Sequence, residues 1–131
     1  AVKIPKRVLV HDCGPVVNPL LLEGQVLGGL SMGIGNAFFE HIIYDDIGQV
    51  MNASFMDYLL ATAGDMPETI ELGHLSSPSP LNPLGLKGVG EAGAIPTPAC
   101  FAAAIENALS VEILESPLKP GRLFELVETA K

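Results

Sequence analysis

The sequence is short of positive charge. Seven Lys and Arg stand against fifteen Asp and Glu, a net charge of −8. That excludes a phosphate-backbone partner, which needs a basic stripe. It is short of charge altogether: 17% of residues are charged and 48% are apolar. Disorder requires the opposite balance, so the bulk of the chain must fold. Cysteine is scarce too. Cys13 and Cys100 build no disulfide framework, and a reducing cytoplasm is the default location. No Cys-x-x-Cys, His-Glu-x-x-His or calcium-loop spacing occurs, and His11, His41 and His74 are scattered as structural histidines are. Long apolar runs are missing as well. The longest uncharged run, residues 24–39, has 16 residues and five glycines. A membrane span needs about 20 apolar residues, so this run reads as a buried helix. No secretory signal is visible before His11.

What is present fits one α+β domain over residues 1–131. The low charge implies that something larger covers part of its surface. Residues 7–11 (Arg-Val-Leu-Val-His) read as a buried strand, stopped by the turn residues Asp12, Cys13, Gly14 and Pro15. Asn18 and Pro19 supply a cap and a first helical position for a Gly-rich helix reaching Phe39. Residues 40–52 read as a hairpin around a turn ending in Gly48, and 54–63 as a short helix or turns. Residues 68–75 read as a strand with Ile70, Leu72 and His74 on one face. Thr97 and Pro98 are expected to cap an Ala-rich helix reaching Leu109. A strand-like 111–114 follows, then a short helix after Pro120 with Leu123, Leu126 and Val127 on one face. The sheet is expected to be small and mixed.

Residues 76–98 hold five prolines and four glycines in 23 positions, with Lys87 and Glu91 their charged side chains. A loop of that length is either functional or disordered, and its apolar content favours function. Gly88, Gly90 and Gly93 fit the spacing G-x-G-x-x-G. No strand precedes it, and Pro96 and Pro98 stop a helix from running on, so a dinucleotide fingerprint is rejected. Glu91 stands alone among glycines. It is either a solvated loop carboxylate or a base aimed at a ligand, with Val89, Ala92, Ala94 and Ile95 as apolar walls that raise its pKa. Lys87 would oppose that rise or hold an anion.

Three motifs carry a family resemblance. The first is Val-His-Asp-Cys-Gly-Pro-Val-Val-Asn-Pro at 10–19, and the second Glu-Gly-Gln-Val-Leu-Gly-Gly-Leu-Ser-Met-Gly-Ile-Gly at 23–35. The third pairs Ser-Pro-Ser-Pro at 77–80 with Pro-Leu-Gly-Leu-Lys-Gly-Val-Gly-Glu-Ala-Gly at 83–93. In this order they resemble the C-terminal part of the molybdenum-binding subunit of the xanthine oxidase, aldehyde oxidoreductase and carbon monoxide dehydrogenase family. The resemblance implies a fold that forms part of a larger molybdopterin-binding domain. It implies that Glu91 is the catalytic general base, with water supplying oxygen to an aldehyde or N-heterocycle carbon. Gln25, Gly88, Val89 and Gly90 would line the cofactor, and no residue of this chain would ligate the metal. Asn18, Gly28 and Gly29 would shape the helix against its neighbours. The implied cofactor is molybdenum–molybdopterin cytosine dinucleotide, shared with segments absent here. Iron–sulfur clusters and FAD would sit on partner subunits or domains, so the partners are the remainder of the molybdenum subunit, an iron–sulfur subunit and a FAD subunit. In the carbon monoxide branch Ser-Pro follows the glutamate, whereas Ala92 and Gly93 follow Glu91, which favours an organic substrate. Two other readings stand beside this one: a non-catalytic assembly fragment, and a small-ligand binding module.

Overall fold

The computed structural model describes residues 2–129. Strand β1 (Lys6–Asp12) leads into helix α1 (Pro19–Phe38), and strand β2 (Thr69–Leu75) precedes helices α2 (Thr97–Leu109) and α3 (Pro120–Thr129). A three-residue 3₁₀ turn (Ala63–Asp65) lies before β2. The architecture is α+β, as the sequence implies. Among the described residues the sheet is a single parallel pair rather than a mixed one, with Leu9 opposite Leu72 and His11 opposite His74. Parallel pairing requires a long crossover, here everything from Cys13 to Glu68, with α1 as its helix.

Helix α1 organises the rest. Asn18 accepts a hydrogen bond from the Leu21 amide at 3.2 Å, and Pro19 occupies the first turn. Its apolar side chains serve two cores. Leu22 and Val26 pack with Leu9 and Cys13 of the β1 end, joined by Leu72 and Val89. Leu30, Ile34 and Ala37 pack with Phe101, Ile105, Leu118 and Leu123. On α3, Leu123 is buried and Leu126 and Val127 are half-buried, as the helical period requires. The apolar surplus stays outside: Val17 is 79% exposed, Leu20 77% and Leu81 92%. No helix of the described residues is long and apolar enough to cross a membrane.

Three expectations are corrected. The hairpin over 40–52 shrinks to one antiparallel bridge between Tyr44 and Val50, closed by Asp45 side-chain hydrogen bonds to the Ile47 and Gln49 amides. Residues 111–114 form no strand: the Ile113 amide donates to the Glu106 side chain at 2.7 Å, and Ile113 turns into the core. Thr97 does not cap α2. It is the first helical residue, fully buried, and its hydroxyl donates to the Gly93 carbonyl at 2.6 Å.

Candidate functional site

Three stretches of chain interlock at the end of β1. Gly14 has a left-handed φ of +68°, and a Cβ there would lie 2.3 Å from the Gly85 carbonyl oxygen. A Cβ on Gly85 would in turn meet Pro78 at 2.7 Å. The Ser79 amide donates to Gly85 O at 2.9 Å, and Asn82 brackets Leu86 with two hydrogen bonds of 2.9 Å. The Pro-rich loop is therefore held by its own backbone bonds and by the turn after β1. Its composition forbids regular structure, yet not order.

Asp12 ties the same stretches together. Its carboxylate accepts from the Gly14 amide at 2.9 Å, the Ser77 amide at 3.1 Å and the Lys87 ammonium at 3.1 Å. Hydrogen bonds from Ser77, then from the Gly14 amide, hold this carboxyl well below the ordinary carboxylate range, with Lys87 adding to them. Lys87 is thus committed to Asp12 rather than free to oppose Glu91 or to hold an anion.

Beyond Lys87 the loop runs along α1. Val89 is half-buried against the Leu9 core. The Gln25 side-chain amide donates to the Gly90 carbonyl at 3.2 Å. Gly93 then lies directly on the helix: a Cβ there would come within 2.3 Å of Val26 O and 2.7 Å of Leu30 N. Gly29 faces Gly93, and Gly33 faces the Thr97 side chain. Gln25, Gly29 and Gly33 are spaced by four, so one stripe of α1 receives the whole segment. Gly28 meets nothing within 4 Å, so among the described residues the packing role expected for Gly28 and Gly29 belongs to Gly29.

Four of the five expected site residues therefore follow one another as Gly88, Val89, Gly90 and Glu91, and the fifth, Gln25, is bonded to Gly90. Glu91 is exposed on a turn, where its backbone carbonyl accepts from the Ala94 and Ile95 amides at 3.0 Å. The expected walls are incomplete within the chain: Ala92 and Ala94 are half-buried, but Ile95 is 72% exposed. A groove of about 560 Å³ opens beside the loop, lined by Cys13, Asn18, Gln25, Leu86, Val89 and Gly90 among others. Gly88 has no neighbour within 4 Å of an added Cβ, so internal packing does not account for its bareness. An open glycine backbone beside a groove fits the close approach of a bulky cofactor. Asp12, Gly14, Ser77 and Gly85 all lie within the quoted motifs, but motif reading gave them no role, because their meeting is a tertiary contact.

Among the described residues no three His, Cys, Asp or Glu side chains converge as a metal site. His11 and His74 instead stack edge to face across the sheet, ring centroids 4.8 Å apart.

The model of a molybdopterin cofactor-binding domain matches residues 1–67. The nicotine 6-hydroxylase large subunit of Paenarthrobacter nicotinovorans is 41% identical over 109 residues, 83% of this chain and 13% of that protein. The xanthine dehydrogenase molybdenum-binding subunit of Escherichia coli O157:H7 is 42% identical over 125 residues, 95% of this chain and 16% of that protein. The crystal structure of quinoline 2-oxidoreductase from Pseudomonas putida 86 superposes with a TM-score of 0.90 at 40% identity, covering 98% of this chain and 16% of that one. The chain thus spans 13–16% of the length of these relatives. The family model, the relatives and the shared fold together show that it belongs to the family of molybdenum-binding large subunits of the xanthine, aldehyde and carbon monoxide dehydrogenase type.

Proposed function

We propose that this chain is one domain segment of a molybdenum hydroxylase large subunit and supplies its general base. The observation that carries the reading is Glu91. It is a carboxylate with no hydrogen bond or ion pair to the described residues, at the end of an open glycine loop, with the neighbouring cation drawn off to Asp12. The substrate is an aldehyde or an N-heterocycle. Two relatives bear the names of N-heterocycles, nicotine and quinoline, which supports the second class.

When bound, the molybdenum–molybdopterin cytosine dinucleotide supplies the two-electron oxidation, and most of its contacts come from the remainder of the subunit. Glu91 takes the proton from the water-derived nucleophile as it attacks the substrate carbon. Once the rest of the subunit covers this exposed turn, bulk water is shut out around the carboxylate. Gln25 holds the Gly90 carbonyl and so fixes the backbone next to Glu91. Gly88, Val89 and Gly90 present main chain to the cofactor without side-chain obstruction at the glycines. Iron–sulfur and FAD partners carry the electrons away. The unpaired Cys13 and Cys100 suit assembly in a reducing cytoplasm.

Glu91→Gln in the assembled enzyme tests this. It keeps shape and removes the base, so turnover should fall about 10²–10⁴-fold while molybdenum content stays intact. Near-normal turnover would leave the segment a non-catalytic assembly element.

A further inference from the structure

We propose that Asp12 is a positioning residue for the loop bearing Gly88, Val89, Gly90 and Glu91, acting through Lys87. Lys87 is fixed at both ends: its ammonium sits 3.1 Å from Asp12 and its amide donates to the Cys13 carbonyl at 3.0 Å. The next fixed points are Val89, packed against the Leu9 core, and the Gly90 carbonyl on Gln25. Between them Gly88 crosses open space. A glycine without neighbours has no conformational preference of its own to hold that span. Its course is therefore set by its two ends, and Asp12 shares the upstream one with the Cys13 carbonyl, holding the Lys87 side chain while that carbonyl holds its amide.

Asp12 suits this task because it does not depend on Lys87 for its own place. The Gly14 and Ser77 amides aim it, and the Gly14–Gly85 contact keeps those segments in register. An aspartate is ionised throughout the neutral range, and hydrogen bonds from Ser77 and the Gly14 amide extend that into acid, so the charge on Lys87 stays matched. The pair also has an electrostatic consequence. Lys87 lies four residues before Glu91, and an ammonium released toward that carboxylate would stabilise its ionised form and weaken it as a base. Asp12 draws that charge away. This second consequence rests on the reading of Glu91 as base; the first does not.

Asp12→Asn in the assembled, cofactor-loaded enzyme separates the two. The amide oxygen still serves Gly14 and Ser77, while the position facing Lys87 loses its charge and turns from acceptor to donor. Amide hydrogen exchange over residues 87–91 should speed up about fivefold, the scale of a half-exposed ion pair. The acid limb of kcat/KM should move down by about one pH unit, and Asp12→Asn with Lys87→Met should return it to the wild-type position. Lys87→Met alone should reproduce the faster exchange, which keeps the test decisive where Asp12→Asn fails to assemble. Unchanged exchange in either variant overturns the clamp. A double variant that keeps the displaced acid limb overturns the electrostatic role. Full turnover in Glu91→Gln would defeat the base assignment while leaving the exchange result to stand on its own.

Discussion

Gly93 lies against the backbone of α1 opposite Gly29, with no room for a methyl group on Gly93 and a tight fit for one on Gly29: the nearest atoms would be 2.3 Å from a Cβ on Gly93 and 3.1 Å from one on Gly29. This contact fixes the distance between the helix that carries Gln25 and the turn that carries Glu91. Gly93→Ala should therefore cost about 1–3 kcal/mol, the usual cost of overpacking a tight contact. Amide exchange over residues 90–96 of the full subunit should rise in step. Gly28→Ala is the contrast, because a Cβ on Gly28 meets nothing within 4 Å among the described residues and exchange over 90–96 should not change. Equal effects from the two variants would show that the loop is not seated by this contact.

Gln25 holds the Gly90 carbonyl from an exposed position, so water can replace it. Gln25→Leu should lower stability by no more than about 1 kcal/mol. The same variant should lower kcat about tenfold, since a small displacement beside a reacting group is costly. Thermal unfolding and steady-state kinetics on one preparation separate these. A large fall in melting temperature with normal kcat would make Gln25 a support of the fold alone.

Thr97 does for the far side of the turn what Gln25 does for the near side. Its buried hydroxyl reaches the Gly93 carbonyl at 2.6 Å, and its methyl fills the space left by Gly33. Thr97→Val keeps the shape and leaves that carbonyl without its partner, at a cost of about 1–3 kcal/mol. Thr97→Ser keeps the hydroxyl and loses the methyl, so it should cost about 1 kcal/mol. Denaturant titration of both variants checks the order. A reversed order would make packing against Gly33, not the hydrogen bond, the main contribution.

Elements marked by their own local chemistry were legible in the sequence. Asn18 and Pro19 announced α1, and Leu123, Leu126 and Val127 announced the buried side of α3. Long-range pairing was not legible. Nothing near Leu9 says that Leu72 lies beside it, because parallel partners are joined by a crossover rather than by a turn. Thr97 misled for a related reason: Thr before Pro is a cap signal, but here burial against Gly33 placed it inside the helix. The glycine helix was read correctly as a surface for close approach. Which glycines make the contact depended on where residues 90–97 dock, and that is a tertiary fact. Within the site, Glu91 stood out as a lone carboxylate among glycines, while its role as base and the choice of Gln25 came from motif resemblance. Asp12 was passed over because a turn aspartate looks the same whether or not distant amides converge on it.

His11 supplies the clearest pH dependence. Both of its ring nitrogens are buried without a hydrogen-bond partner among the described residues, and His74 stands edge-on across the strand pair. Burial lowers its pKa and the charge of His74 lowers it further, while Asp12 pulls the other way. The folded pKa therefore lies below the unfolded value of about 6.5. A histidine with a depressed folded pKa contributes stability above its unfolded pKa and loses that contribution as pH falls through the folded one. Stability of the full subunit should thus decline as pH drops below about 6.5. His11→Gln, which cannot titrate, should show a shallower decline over the same range. Melting temperatures of the two proteins measured from neutral to mildly acidic pH should converge as pH falls. Parallel curves would mean that His11 finds a partner for its ring nitrogens once the rest of the subunit is in place.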